Sequence, residues 1–394
     1  MQFRYYDSDC GSAAGCPPNG VYQHSLFPSD DPRKMARVLP TKVWRFAPSN
    51  CLAWPMFILF VLLSGSVGGR AASANSLMAA SLMENSIWVV DLSSRVTHLE
   101  RADQTGFQQA IGLDYYGKIN GELRDIATIN LQLYVMRIDD LVRRPGFFEG
   151  EDDWELMPRI SNINLHLTDD RRLNLKAGHM EIPYGAEVPI NSNGTLRQMM
   201  HGPNLGVKAD WGVTLNGTWA PVQYEVALTR GSGIEYNSPG DPYVVAGRIG
   251  NAIDAESYYG FNSAGVSFFR GDVLTRTGAK VQRLRVGFDG QWYYGPFGVL
   301  GELSLGQNNN SDVVNTLLEL SYVNRRETVF LYTQGRLMRV RNATGWDDAD
   351  SLHCGVRWTP DNRWALSGEF TQELSAFGAG ITESLVSFQL RYRF

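Results

Sequence analysis

The chain has 394 residues, enough for two or three ordinary domains or one large barrel. Its mean hydropathy of −0.23 excludes a bundle of transmembrane helices but not a membrane barrel, whose strands are only half apolar. A formal net charge of −5 gives no basic surplus for nucleic acid.

Taken in order, the chain begins with a targeting device. The only long apolar run, Leu52 to Val67, follows the basic residues Arg33, Lys34, Arg37, Lys42 and Arg45 and precedes Ala72-Ser73-Ala74. A basic region, an apolar region and a small-x-small site predict a signal peptide cleaved after Ala74. Pro55 and the short length of the run argue against a spanning helix. Residues 1–34 are polar and longer than a signal needs, so initiation at Met35 is a second expectation. Taking the seven basic and four acidic residues of 1–74 from the totals of 36 and 41 leaves 29 and 37, a net charge of −8. Cys354 is then the sole cysteine, so no internal disulfide stabilises the exported chain. The expected organisation is an extension and signal over 1–74, a short segment over 75–86 and a barrel over 87–394.

From Ile87 the sequence repeats segments of about ten residues with a period of two. Trp88, Val90 and Leu92 alternate with Asp91 and Ser93; Ile129, Leu131, Leu133 and Val135 alternate with Asn130, Gln132 and Tyr134. The same pattern recurs through Ile163 to Leu167, Val207 to Leu215, Leu284 to Trp292 and Phe297 to Leu305. It is weakest near Tyr243 to Ile249 and Tyr258 to Phe269. The last segment, Val386 to Phe394, alternates strictly and ends on an aromatic residue. Together these segments predict an all-β fold, a transmembrane antiparallel β-barrel of about 16 strands, within 14 to 18. The terminal strand is expected to close against the first. Even-numbered connections such as Asp169 to Arg172 and Gly295-Pro296 are short, whereas odd-numbered ones such as Asp139 to Pro158 are mostly longer. This is the asymmetry between periplasmic turns and external loops. A propeller would repeat every 40 residues or so instead.

Two groups of residues are candidates for function. The loop Ile182 to Asn204, with Glu181, Glu187, Arg197 and His201 as its polar groups, either stays external or folds inward to constrict the pore. The inner face carries Lys118, Lys176, Lys208, Arg283, Arg285, Arg357, Arg363, Arg391 and Arg393, balanced by Asp91, Asp114, Asp210, Glu225, Asp289, Glu302, Glu319 and Glu369. The balance predicts pairing across the wall more than a strongly ion-specific track. His166, His179, His201 and His353 are too dispersed for a local metal motif, and GxSxG is absent, so no enzyme, cofactor or metal is expected. Cys354 alternates with Leu352 and Val356 and is expected to face lipid.

With its signal, its alternating strands and Phe394 at the end, the mature chain resembles a Gram-negative outer-membrane porin. Locally, LKAGHMEIPYGAE from Leu175 to Glu187 is similar to a strand-and-loop pattern of the phosphate-selective porin O and P type, carried by Gly178, Pro183, Tyr184, Gly185 and Glu187. The resemblance implies insertion by the outer-membrane assembly machinery, a homotrimer, and passage of small hydrophilic solutes or ions. A non-conducting barrel, either an enzyme or a structural or adhesive surface protein, is the competing expectation.

Overall fold

The computed structural model describes residues 86–121, 124–139, 154–187, 194–236, 240–251, 262–275 and 278–394. The expected signal peptide, its cleavage site and most of the segment 75–86 lie outside the described residues.

The period-two segments form seventeen strands: β1 (Ser86–Leu99), β2 (Gln104–Asn120), β3 (Asp125–Ile138), β4 (Glu155–His166), β5 (Asn174–Glu181), β6 (Ala209–Trp219), β7 (Val222–Thr229), β8 (Val244–Asn251) and β9 (Ser263–Leu274) in the first half. The second half adds β10 (Lys280–Tyr294), β11 (Phe297–Asn308), β12 (Ser311–Val323), β13 (Val329–Asn342), β14 (Gly345–Asp348), β15 (Ser351–Trp358), β16 (Trp364–Glu373) and β17 (Ser384–Arg393). Strand β14 pairs with the end of β13, and β15 pairs with the remainder of it. These two short strands share one place in the wall, which therefore has sixteen staves, all antiparallel.

Closure occurs where the terminal strand meets the first. Strands β1 and β17 pair from Asp91↔Arg393 to Leu99↔Leu385, while the other edge of β1 pairs with β2. Val90 and Phe394 exchange backbone hydrogen bonds of 2.8 and 3.1 Å, so the last residue is itself part of the seam. Among the described residues the sixteen staves therefore form a closed ring, with neither the first nor the last strand left as a free edge.

Alternation sorts the side chains into two environments. The outward set is large, apolar and uncovered, as with Phe288 at 49%, Leu318 at 53% and Phe388 at 59% exposure. A continuous belt of this kind is much larger than a soluble monomer exposes and matches the lipid face of a barrel. Aromatic pairs gather at the short-turn end: Trp88 with Tyr115, Trp219 with Tyr224, Phe297 with Tyr322, and Trp364 with Tyr392, the rings 4.4 to 6.3 Å apart. They form the interfacial girdle. Cys354 lies on the outward face of β15, exposed as expected.

The connections depart in places from the expected alternation of short and long. On the loop side, β11 and β12 are joined by 309–310 alone and β9 to β10 by 275–279, whereas on the turn side β8 and β9 are joined by 252–262. Gly295, with φ of +57°, begins the two-residue turn between β10 and β11.

Inside the seam, Arg391 Nε donates to both Asp91 carboxylate oxygens at 2.9 and 3.1 Å, and Arg393 Nη2 donates to Asp114 at 3.0 Å. Asp91 is only 2% exposed, so its loss would leave Arg391 and Arg393 side by side without this counter-charge. Asp91→Ala is expected to cost roughly 3 kcal/mol. The check is the temperature at which the folded, fast-migrating band in detergent gels converts to the unfolded one. It should fall markedly in Asp91→Ala, and much less in Asp91→Asn with Arg391→Gln.

Candidate functional site

A barrel of sixteen staves is too wide for its own side chains to fill. Here the lumen receives the β5–β6 connection. Ile182 N donates to Lys208 O at 3.1 Å, which keeps the two stems together, and the chain then leaves β5 for the far wall. Tyr184 Oη meets Ser304 Oγ of β11 at 2.7 Å, Gly185 N donates to Ser267 Oγ of β9 at 3.0 Å, and Ala186 N donates to Glu302 Oε2 of β11 at 2.9 Å. Two glycines permit this approach. A Cβ at Gly287 of β10 would lie 2.5 Å from Tyr184 Oη, and Gly185 adopts φ of +64° against the Glu302 carboxylate.

On its way back the loop binds a further series of staves. Gly194 O accepts from Gln389 Nε2 of β17 at 3.0 Å and from Arg391 Nη1 at 3.3 Å, and Thr195 O accepts from Arg95 Nη2 of β1 at 2.9 Å. Arg197 forms a bidentate pair with Glu319 of β12, at 2.7 and 2.5 Å, and lies over the Phe330 ring. Gln198 O accepts from Gln334 Nε2 of β13 at 2.8 Å. The return ends in a one-turn helix, α1 (His201–Leu205), whose Asn204 Oδ1 accepts from Arg285 Nε at 2.9 Å and Asn315 Nδ2 at 2.8 Å. Apolar contacts reinforce the polar ones. Ile182, Tyr184 and Leu205 pack on Ala246 and Phe269, while Ala186, Met199 and Met200 pack on Leu300 and Leu317. The loop is thus held inside the barrel along β8 to β13, β17 and β1.

Of the four polar loop residues expected from the sequence, three enter this arrangement. Glu187 is buried between Lys208 Nζ and His201, whose Nδ1 lies 3.4 Å away. Burial by itself would raise the Glu187 carboxyl, but Lys208 and His201 outweigh it and hold the group well below its ordinary value of 4.5. Burial pushes the Tyr184 phenol up to about 12, so its hydroxyl stays protonated and able to hydrogen-bond Ser304. Glu181 differs: it ends β5, paired with Ala209, and is not part of the loop.

The inner-face charges mostly neutralise one another. Lys176 pairs with Glu225 at 2.7 Å, Asp289 with Arg248 at 2.6 Å, and Asp91 and Asp114 with Arg391 and Arg393. Arg285 spends its donors on Asn204, Asn308 and the Gln307 carbonyl, and Arg283 reaches the Asn204 carbonyl at 3.4 Å. Glu369 accepts from Tyr332 Oη at 2.5 Å. Lys118 on β2 and Arg357 on β15 lie on the lumen face. Two expectations need correction. Arg363 lies exposed in the turn before β16, because Asp361 accepts from the amides of Arg363 and Trp364 and ends the extended run there. Asp210 accepts from the amides of Gly231, Ser232 and Gly233, so it pins the β7–β8 connection rather than facing solute.

Arg95, Ser267 and Gln334 lie outside the residues expected from the sequence, whereas Gln389 sits on the polar side of the strictly alternating final strand, where its parity puts it. Carrying the Asp91, Ser93 alternation two residues further reaches Arg95, whereas Arg248 sits in β8, where alternation is faint. Among the described residues no group of three or more His, Cys, Asp or Glu could hold a metal ion.

No protein-family model and no curated protein matches the chain. Solved structures do. OmpF of Salmonella typhi is similar with a TM-score of 0.59 at 11% identity, over 79% of this chain and 98% of that one. OprB of Pseudomonas putida gives 0.59 at 10% identity over 83% and 97%, and an anion-selective porin from Comamonas acidovorans gives 0.56 at 12% over 78% and 99%. At these identities the likeness is one of fold: the chain is built as outer-membrane porin barrels are.

Because Glu187 titrates lower in the folded chain than unfolded, its anchor contributes above about pH 4.5 and fades only as the pH falls through the lower folded value. Amide hydrogen exchange in detergent, corrected for intrinsic rate, should show Gly185, whose amide donates to the Ser267 hydroxyl, equally protected at pH 7 and pH 5. In Glu187→Gln that protection should drop at both pH values, by about tenfold for a loss of roughly 1.4 kcal/mol.

Proposed function

We propose that the chain is an outer-membrane porin that admits small hydrophilic solutes or ions by passive diffusion. Solutes would be sorted by the width left beside the inward loop and by the polar groups around it, with no chemical step and no cofactor. The observation that carries this reading is the loop anchored from within at Ser304, Glu302, Glu319 and Arg95, since a wide lumen needs an internal obstacle to discriminate by size. Export through the signal peptide of 1–74, contact of the apolar belt with outer-membrane lipid, and recognition of the strand ending in Phe394 by the assembly machinery belong to the same reading. So does a homotrimer, for which the fold relatives include an OmpT of Vibrio cholerae described in trimer form.

The stretch Leu175 to Glu187 that resembles the O and P type supplies the Tyr184, Gly185 and Glu187 anchors. The paired charges on the wall support weak ion preference rather than phosphate selection. The competing class is a barrel that does not conduct, acting as an enzyme or a surface adhesin.

Planar-bilayer recording separates the two classes. The purified protein should show stepwise conductance, and its absence would sink the channel reading. Deleting residues 190–198 should enlarge the step; an unchanged step would return the loop to an ordinary external role.

A further inference from the structure

The wall anchors of the β5–β6 loop lie on β8 to β13, β17 and β1. A second connection enters the barrel along a different arc. The chain leaving β7 turns through residues 230–236, and Ile234 packs on a buried cluster of Ala110, Tyr134, Met136, Ile138 and Met157 from β2, β3 and β4. That cluster belongs to the lumen side. Tyr134 Oη donates to Asp91 at 2.9 Å inside the seam, Ala110 stands opposite Met136 and Met157 opposite Tyr134, and it is the alternate residues Leu133 and Val135 that are exposed on the outer face. To reach this cluster from β7, the segment passes β6 and β5 within the barrel.

Its position is fixed from β6. Asp210 is fully buried, and its carboxylate accepts from the amides of Gly231, Ser232 and Gly233, the last two at 3.3 and 3.1 Å. Trp211 Nε1 donates to the Ile234 carbonyl at 2.8 Å, and the Trp211 ring meets Tyr236 edge-on with centroids 5.7 Å apart. On the other side Gly231 O accepts from Leu274 N at the end of β9, at 2.9 Å, and the Arg230 guanidinium lies 5.1 Å from the Tyr236 ring centre.

Burying a carboxylate is costly unless donors replace its water, and here three backbone amides do so. A connection lying in bulk water would need no such holder, because solvent would satisfy its amides. The segment is therefore held inside, at the end of β3 from which the long 139–154 connection departs. Glu235 and Tyr236 remain exposed, so this held segment still presents side chains to whatever occupies the opening.

We propose that residues 230–236 form a second size-limiting element at the loop end of the lumen, with Asp210 as its positioning residue; the proposal rests on the channel reading above. The test is single-channel recording of the full chain carrying Cys354→Ser and Glu235→Cys, before and after reaction with a bulky methanethiosulfonate. Modification should remove part of the open-channel current, and reduction of the mixed disulfide should restore it. The same reagent on Thr344→Cys, exposed in the turn between β13 and β14, should leave the current unchanged. Asp210→Ala should enlarge the step, and enlarge it further in a chain that also lacks residues 190–198, because the two elements narrow the lumen from different arcs. Complete labelling of Glu235→Cys without loss of current would overturn the proposal, as would equal loss at Thr344→Cys or a folded Asp210→Ala barrel whose step matches the parent's. The thiol test alters only an exposed side chain, so it decides the matter even where Asp210→Ala does not fold. A parent protein with no stepwise conductance would instead contradict the channel reading itself.

Discussion

An antiparallel sheet with free edges would leave rows of N–H and C=O groups unpaired, and in hydrocarbon each would cost several kcal/mol. Here the first and last strands remove those edges by pairing with each other, down to the reciprocal bonds between Val90 and Phe394. Everything else in the molecule follows from this closure. Once the ring is sealed, the two faces of every strand meet different solvents, which is why Leu390 and Phe388 point outward while Gln389 and Arg391 point in. The seam is also fastened electrostatically from the lumen side, where Arg391 and Arg393 meet Asp91 and Asp114.

Closure with sixteen staves creates a second problem, a lumen wider than its own side chains can occupy. The β5–β6 connection answers it by behaving as an interior element. Its apolar residues find partners on Ala246, Phe269, Leu300 and Leu317, which are inward-facing apolar positions of the wall. Its backbone polar groups are matched by Ser267, Glu302, Gln334 and Gln389, so the loop satisfies its hydrogen bonds away from bulk water. The anchored side of the wall also holds buried ion pairs such as Arg197 with Glu319.

Much of the barrel was legible in the sequence because strand alternation is a local property. Trp88, Val90 and Leu92 against Asp91 and Ser93 declare their faces without knowledge of any partner, and the strict final strand implied its own pairing. Less legible were features set by distant contacts. Arg197 meets Glu319, and Gly194 meets Gln389, across long stretches of chain, and no spacing rule joins them. Turn capping by Asp361 took Arg363 out of the wall, and backbone amides of a neighbouring connection claimed Asp210. Register with neighbouring strands likewise decides which neutral polar side chains meet, as where Asn130 stands beside Asn162 and Asn174 beside Asn216.

The central claim is that the β5–β6 loop crosses the lumen and rests against the seam. Its most direct test is a chemical bridge between Thr195→Cys and Arg95→Cys in a chain whose Cys354 is replaced by serine. Thr195 O accepts from Arg95 Nη2 at 2.9 Å, which sets the two Cα atoms apart by about the length of an arginine side chain, too far for a direct disulfide, so a bifunctional thiol reagent of that length should link them near-completely in the folded protein in outer membranes. The same pair should remain unlinked when residues 182–187 lose their anchors through Tyr184→Phe with Glu302→Ala. Failure of the first pair to cross-link in a correctly folded barrel would contradict the account.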